Sequence, residues 1–240
     1  MTMNTTLITP NDATQTDRRT LPAPQLIVFD WDGTLVQSTG HIVRCFERAM
    51  ASENLPILPA EQIQGIIGLG LYEAARTLFP DLSDDKAASL AAAYRSHYFT
   101  RTEAIEPYPG VGEILSGLRD AGCWLAIATG KSNRGLQEAL AETGLGHYFL
   151  STRTAEQTVS KPAPLMLMQL LDEFGVTPDE TWMIGDTDFD ILMAHNAGCA
   201  PVAITHGAHD RARLAAARPH VMIDALDEIL DLYQAARTRG

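Results

Sequence analysis

Leu26-Ile27-Val28-Phe29-Asp30-Trp31-Asp32-Gly33-Thr34-Leu35 is the stretch of this 240-residue chain from which the fold is read. Its first four residues are an apolar run with the length and composition of a buried strand. Two acidic residues follow, two positions apart, where the strand runs out. At that spacing an extended chain points both side chains the same way. Asp and Gly by themselves signal only a turn. Two carboxylates held close, however, repel each other unless a cation or a shared proton lies between them. The carboxyl ends of strands are also where open α/β sheets take their ligands. The pattern points to a metal-assisted site, with one carboxylate as nucleophile and the other as proton carrier.

Three later segments extend it. Ala126-Ile127-Ala128-Thr129-Gly130-Lys131-Ser132 is a second apolar run, ending in a hydroxyl. Ser160-Lys161-Pro162-Ala163-Pro164 sets a lysine beside two prolines that restrict its backbone. Met183-Ile184-Gly185-Asp186-Thr187-Asp188-Phe189-Asp190 is a third apolar run, ending in carboxylates. In order, DxDGT, a strand-end hydroxyl, a lysine and GDxxxD resemble the four motifs of the haloacid dehalogenase-like hydrolase superfamily. Tyr108-Pro109-Gly110-Val111, Lys161-Pro162-Ala163-Pro164 and Gly185 to Asp190 are similar to its phosphoglycolate phosphatase-like branch.

The resemblance implies a phosphoric monoester hydrolase with an α/β core, a Rossmann-like doubly wound parallel sheet, and an inserted all-helical cap. It implies catalytic roles for Asp30 as nucleophile, Asp32 as proton carrier and Lys161 as the neutralising charge. The Thr129 hydroxyl and the Gly130 N–H would bind phosphate. Magnesium would be held by Asp30, Asp32 (through its backbone oxygen), Asp186 and Asp190, with Asp190 acting through water or by orienting Lys161. The substrate implied is a small phosphorylated metabolite, with 2-phosphoglycolate as the compound the likeness names.

Other readings carry less. Gly130-Lys131-Ser132 mimics the tail of a P-loop, but Leu125 stands where its first Gly belongs. Gly68 and Gly70 begin a dinucleotide fingerprint that Glu73 breaks. Thr129 could also be a helix N-cap, and Asp188 reads as a helix-start residue. His206 and His209 read as loop residues, not a metal pair. A phosphomutase or phosphotransferase of the same superfamily is the rival enzyme, but the mutase relatives have Gly where Asp190 stands. A catalytically inactive binding module would be expected to lack a motif residue, and none is missing.

A net charge of −12 argues against nucleic acid and anionic membranes as partners. It also requires that any phosphate site be made locally positive. Cys45, Cys123 and Cys199 are odd in number, widely spaced and set among apolar neighbours. They read as reduced, buried thiols of a cytoplasmic protein, either a monomer or a homodimer. Strands are expected near 25–29, 123–128, 181–185 and 200–204, with weaker ones near 149–151 and 220–223. Residues 1–22 read as a disordered extension. Residues 23–36 and 107–240 form the expected catalytic core, and 37–106 the helical cap, hinged at Gly33. Within the cap, Arg44, Arg48 and the loop from Gly65 to Tyr72 are the expected substrate selectors. Lys131 and Arg134 are placed to meet a substrate carboxylate.

Overall fold

A computed structural model describes residues 21–100 and 104–238. The apolar runs become six parallel strands: β1 (Leu26–Phe29), β2 (Trp124–Thr129), β3 (Ser151–Thr154), β4 (Thr181–Gly185), β5 (Ala200–Ile204) and β6 (Val221–Ile223). They form one sheet in the order β3-β2-β1-β4-β5-β6. The chain therefore builds outward from β1 in one direction and from β4 in the other. The crevice between β1 and β4 is the switch point at which doubly wound sheets bind ligands. Every residue of β1, β4 and β5 is buried, as a parallel sheet covered on both faces requires.

Alternation along the strands divides the core in two. Ile27, Phe29, Leu125, Ile127, Trp182 and Ile184 pack with α5 (Val111–Asp120), α6 (Asn133–Thr143) and α10 (Glu228–Arg237). Leu26, Val28, Ala126, Ala128 and Met183 pack with α7 (Leu165–Phe174) and α8 (Asp188–Ala197). A short helix, α9 (Arg211–Ala216), sets Leu214 against Ile191 and Ala203.

Of the five described helices between β1 and β2, the four before α5 stand apart from the sheet's own layers: α1 (Thr39–Ser52), α2 (Ala60–Gln64), α3 (Leu71–Leu78) and α4 (Asp84–Phe99). Their apolar faces gather into a cluster of their own around Ile42, Phe46, Met50, Ile63, Ala74 and Leu90. The two segments joining them to the sheet run side by side. The Gln37 N–H donates to the Glu106 carbonyl at 2.9 Å, and the Tyr108 N–H to the Leu35 carbonyl at 2.9 Å.

Some boundaries differ from the sequence reading. Leu21 and Pro22, placed there in a disordered extension, belong to the folded unit. Leu21 is buried, and the Pro22 carbonyl accepts the indole N–H of buried Trp182 at 2.9 Å, which would otherwise lack a partner. The rest of the expected extension lies outside the described residues. β3 begins later than expected, because a 3-10 turn at Leu145–Tyr148 precedes it. The three cysteines are buried and form no disulfide, and burial pushes the thiols of Cys123 and Cys199 up to about 12. No described helix is long and apolar enough to cross a membrane.

Leu118, fully buried between α5 and the sheet, tests this core. Leu118→Ala is expected to lower the free energy of unfolding by about 3 kcal/mol, read from urea denaturation. A loss below about 1 kcal/mol, within reach of an ordinary surface substitution, would show that α5 does not seal the sheet.

Candidate active site

β1 ends at Phe29, and the next residue ties the two central strands together. The Asp30 N–H donates to the Ile184 carbonyl on β4 at 2.9 Å. This places Asp30, just past β1, beside Asp186, just past β4, at the switch point. Asp190 joins them from the first turn of α8. Thr187 caps that helix, and Asp190 is its third residue. Both the Thr187 hydroxyl (2.6 Å) and the Thr187 N–H (3.1 Å) donate to Asp190 Oδ2. This reciprocal cap fixes the Asp190 rotamer and leaves Oδ1 facing the crevice. One carboxylate oxygen from each of Asp30, Asp186 and Asp190 falls within 4.8 Å of the others, and all three residues are buried.

Lys161 enters this cluster with its side chain wholly buried. Its Nζ lies 2.7 Å from Asp30 Oδ1 and 2.7 Å from Asp190 Oδ1. Burial works against its charge, but Asp190 and Asp30 outweigh burial and hold its pKa above the usual lysine range. The carboxylates are less well served. Burial pushes Asp30 up to about 7 against the pull of Lys161, with Asp190 and Asp32 adding to the rise. Burial, reinforced by Asp30 and Asp190, holds Asp186 well above the carboxylate range.

Asp186 is tied down on both oxygens. Oδ1 accepts the Thr34 hydroxyl at 2.6 Å, and Oδ2 accepts the Ala208 N–H at 2.7 Å. Close approach here demands glycine. A Cβ on Gly33, whose φ is +81°, would lie 2.3 Å from Asp186 Oδ2. Gly33 thus gives the carboxylate room in a backbone region that side chains disfavour, a role that its expected use as a hinge does not include. Thr34 has no role in the sequence motifs as read above; its only signal is a hydroxyl directly after the Asp-Gly turn.

Asp32 and Thr129 face the same cavity as Asp30. Both Asp32 oxygens lie 3.0 Å from Lys131 Nζ, and that ammonium also donates to the Tyr98 hydroxyl of α4 at 2.9 Å. Lys131, expected to meet a substrate carboxylate, is therefore committed to Asp32. Thr129 ends β2, and its hydroxyl accepts the Lys131 N–H at 3.3 Å. The N-cap reading belongs instead to Ser132, whose hydroxyl accepts the Gly135 N–H at the start of α6.

The cavity, about 80 Å³, is bounded opposite the carboxylates by the helical segment. Ile66, Ile67, Gly68, Leu69 and Leu71 of the loop singled out in the sequence line it. Arg44 and Arg48 do not. They are exposed, while Ile42 and Phe46 of the same helix turn inward. Positions 44 and 48 lie two residues on from 42 and 46, which on a 3.6-residue helix is the opposite face. Arg134 does not line the cavity either: it pairs with Glu138 at 2.8 Å, and its guanidinium lies 4.5 Å from the centre of the Phe99 ring, on the cavity wall. The same loop rests on the sheet ends. A Cβ on Gly130 would lie 2.4 Å from the Leu69 carbonyl and 2.5 Å from that of Gly68, and the Gly70 N–H donates to the Ser160 hydroxyl at 2.7 Å.

His206 and His209 do not converge on one point. The His206 ring stacks on Tyr108 at 3.8 Å and lies 3.2 Å from the Thr34 carbonyl. His209 Nδ1 accepts the N–H of Asp188, the first residue of α8, and its ring stands near that residue's carboxylate. Arg213 grips the same carboxylate at 2.7 Å and donates to the Gly65 carbonyl at 3.2 Å.

A family model for haloacid dehalogenase-like hydrolases matches residues 27–204. The protein named "Phosphoglycolate phosphatase" in Vibrio vulnificus (strain CMCP6) is 30% identical over 217 residues, covering 87% of this chain and 95% of its own. "Probable phosphatase IndB" of Dickeya dadantii (strain 3937) is 32% identical over 215 residues, covering 88% and 94%. The crystal structure described as a predicted phosphoglycolate phosphatase from Haemophilus somnus 129pt superposes with a TM-score of 0.79 at 27% identity, covering 88% of this chain and 99% of that one. With its parallel sheet, its four motifs in order and these relatives, the chain belongs to the haloacid dehalogenase-like hydrolases and is a phosphoric monoester hydrolase of the phosphoglycolate phosphatase-like branch.

Proposed function

We propose that the protein is a magnesium-dependent phosphatase that hydrolyses a small phosphomonoester through an aspartyl-phosphate at Asp30. The observation carrying this reading is the buried cluster of Asp30, Asp186 and Asp190 around Lys161. Three carboxylates set against one ammonium leave two negative charges uncompensated in a dry crevice, the charge that one divalent cation neutralises. Oδ2 of Asp30 is buried and has no hydrogen-bond partner among the described residues. Hard oxygen donors in this number suit magnesium, which retains waters for its remaining positions.

In this reading Asp30, the Asp32 backbone oxygen and Asp186 hold the cation. Asp190 holds Lys161, since its two oxygens are already engaged by Lys161 and Thr187. The cation, when bound, supplies positive charge to the transferring phosphoryl group. Asp30 attacks phosphorus, the bond to the ester oxygen breaks, and Asp32 delivers its proton to that oxygen. A water molecule then attacks phosphorus, gives its proton to Asp32, and frees Asp30 and phosphate. Lys161 holds Asp30 in line and offsets the charge that builds on the phosphoryl oxygens, while the Thr129 hydroxyl and the Gly130 N–H bind two of them. The segment 37–106 is the cap. It closes its Gly68–Gly70 loop on the strand ends, excludes water and sets the size of the leaving group. 2-Phosphoglycolate, the substrate named for relatives, is the reference compound for assay.

Asp30→Asn is expected to keep the fold and to lower kcat on p-nitrophenyl phosphate with magnesium by a factor on the order of 10⁴ to 10⁶. Wild type incubated with labelled substrate and quenched in acid should carry label on the Asp30 peptide. Near wild-type turnover in the folded variant, or label on another residue, would remove Asp30 from the nucleophile role.

Gly130→Ala puts a methyl group against the cap-loop carbonyls. Turnover should fall by about 10²-fold, the cost of misplacing a closing element by about 1 Å. The thermal midpoint should stay close to that of the wild type. Unchanged turnover would mean that the loop need not close on Gly130.

A further inference from the structure

We infer that the substrate's leaving group is a neutral, mainly apolar alcohol, aromatic or branched hydrocarbon, and not a carboxylate-bearing one such as glycolate. The inference rests on the phosphatase reading above and specifies what its cavity accepts.

The cavity has two unlike halves. Around Asp30, Asp32, Thr129 and Gly130 it is polar and built for the phosphoryl group. Opposite, where the leaving group must lie, the wall is Ile42, Phe46, Ile66, Leu69, Tyr94 and Phe99. Phe46 and Tyr94 pack at 4.4 Å between ring centroids, giving that wall an aromatic floor. A second carboxylate on the substrate would need a cation there, because burying an unpaired charge costs far more than burying a methylene gains. Among the described residues lining the cavity, the cations are Lys131 and Arg95. Lys131 is held by both Asp32 oxygens at 3.0 Å and by Tyr98 at 2.9 Å. Taking it for the substrate would leave the proton carrier unpaired. Arg95 is half exposed and faces Glu156 at 4.0 Å. Arg44 and Arg48 lie on the outer face of their helix. The protein's own carboxylates thus claim the positive charge at the mouth, and apolar side chains claim the space.

The test compares benzyl phosphate with 2-phosphoglycolate, two esters whose alcohols leave with similar reluctance, on the full-length protein with magnesium. Benzyl phosphate is expected to have the higher kcat/KM by about tenfold or more, the scale on which an apolar pocket discriminates. Equal or better turnover of 2-phosphoglycolate would overturn the inference and leave the phosphatase reading intact. Calorimetric titration with the non-hydrolysable phenethylphosphonate and 3-phosphonopropionate reads the same preference without turnover. Tighter binding of phenethylphosphonate supports the inference, whereas hydrolysis of neither ester nor of p-nitrophenyl phosphate would remove the phosphatase reading on which it rests. Tighter binding of 3-phosphonopropionate overturns it.

Discussion

Burial of three carboxylates around one ammonium is the constraint on which the rest of this structure depends. A carboxylate taken out of water favours its neutral form unless positive charge is supplied. Asp30 and Asp186 show that pressure, both held above the ordinary range by burial and by their acidic neighbours. The fold is arranged to hold them there. Adjacent central strands deliver Asp30 and Asp186 to one crevice, a capped helix start delivers Asp190, and Lys161 bridges Asp30 and Asp190 from within 2.7 Å. Such a cluster is a poor way to stabilise a protein, since buried ion pairs often do no better than apolar packing. It fits a protein that binds a cation and a phosphoryl group there.

Asp32 stands under different conditions. Both of its oxygens lie 3.0 Å from the Lys131 ammonium, which also reaches the Tyr98 hydroxyl on α4. The acid that would protonate the leaving group is therefore in contact, through one lysine, with the helical segment that covers the site. Arg213 makes a parallel link on the other side, joining Asp188 at the start of α8 to the Gly65 carbonyl. Both pairs couple the resting position of the helices to residues flanking the carboxylate cluster. Removing one member of either pair would strand a partly buried charge, so each link is costly to break.

Much of this was legible in the sequence. The strands announced themselves as short apolar runs, and their ends carried the chemistry, because a parallel sheet puts its ligands at carboxyl ends. Asp30, Asp32, Thr129, Lys161, Asp186 and Asp190 could be named from four motifs, and the structure gathers them around one crevice. What was not legible depended on side-chain direction over long separations. Lys131 looks like a solvated lysine beside a helix start, and nothing in the sequence says that its ammonium meets Asp32, 99 residues away. Thr34 looks like part of a turn until it is seen to hold Asp186 at a separation of 152 residues. Arg44 and Arg48 drew attention by their charge. A 3.6-residue period applied to Ile42 and Phe46 already turns them outward. Leu21 and Pro22 were lost in a polar segment, since one leucine and one carbonyl give no periodic pattern to read.

The central claim, that Asp30, Asp186 and Asp190 form a site completed by a divalent cation, is tested most directly by thermal unfolding under magnesium titration. A ligand that binds only the folded state raises stability by RT ln(1 + [L]/Kd). The melting temperature of the wild-type protein should therefore climb with the logarithm of magnesium concentration once the site begins to fill. That of Asp186→Asn, folded and measured in the same buffer with potassium salt to balance ionic strength, should stay flat over the same range. A wild-type melting temperature indifferent to magnesium, or an equal climb in the Asp186→Asn protein, would contradict the account.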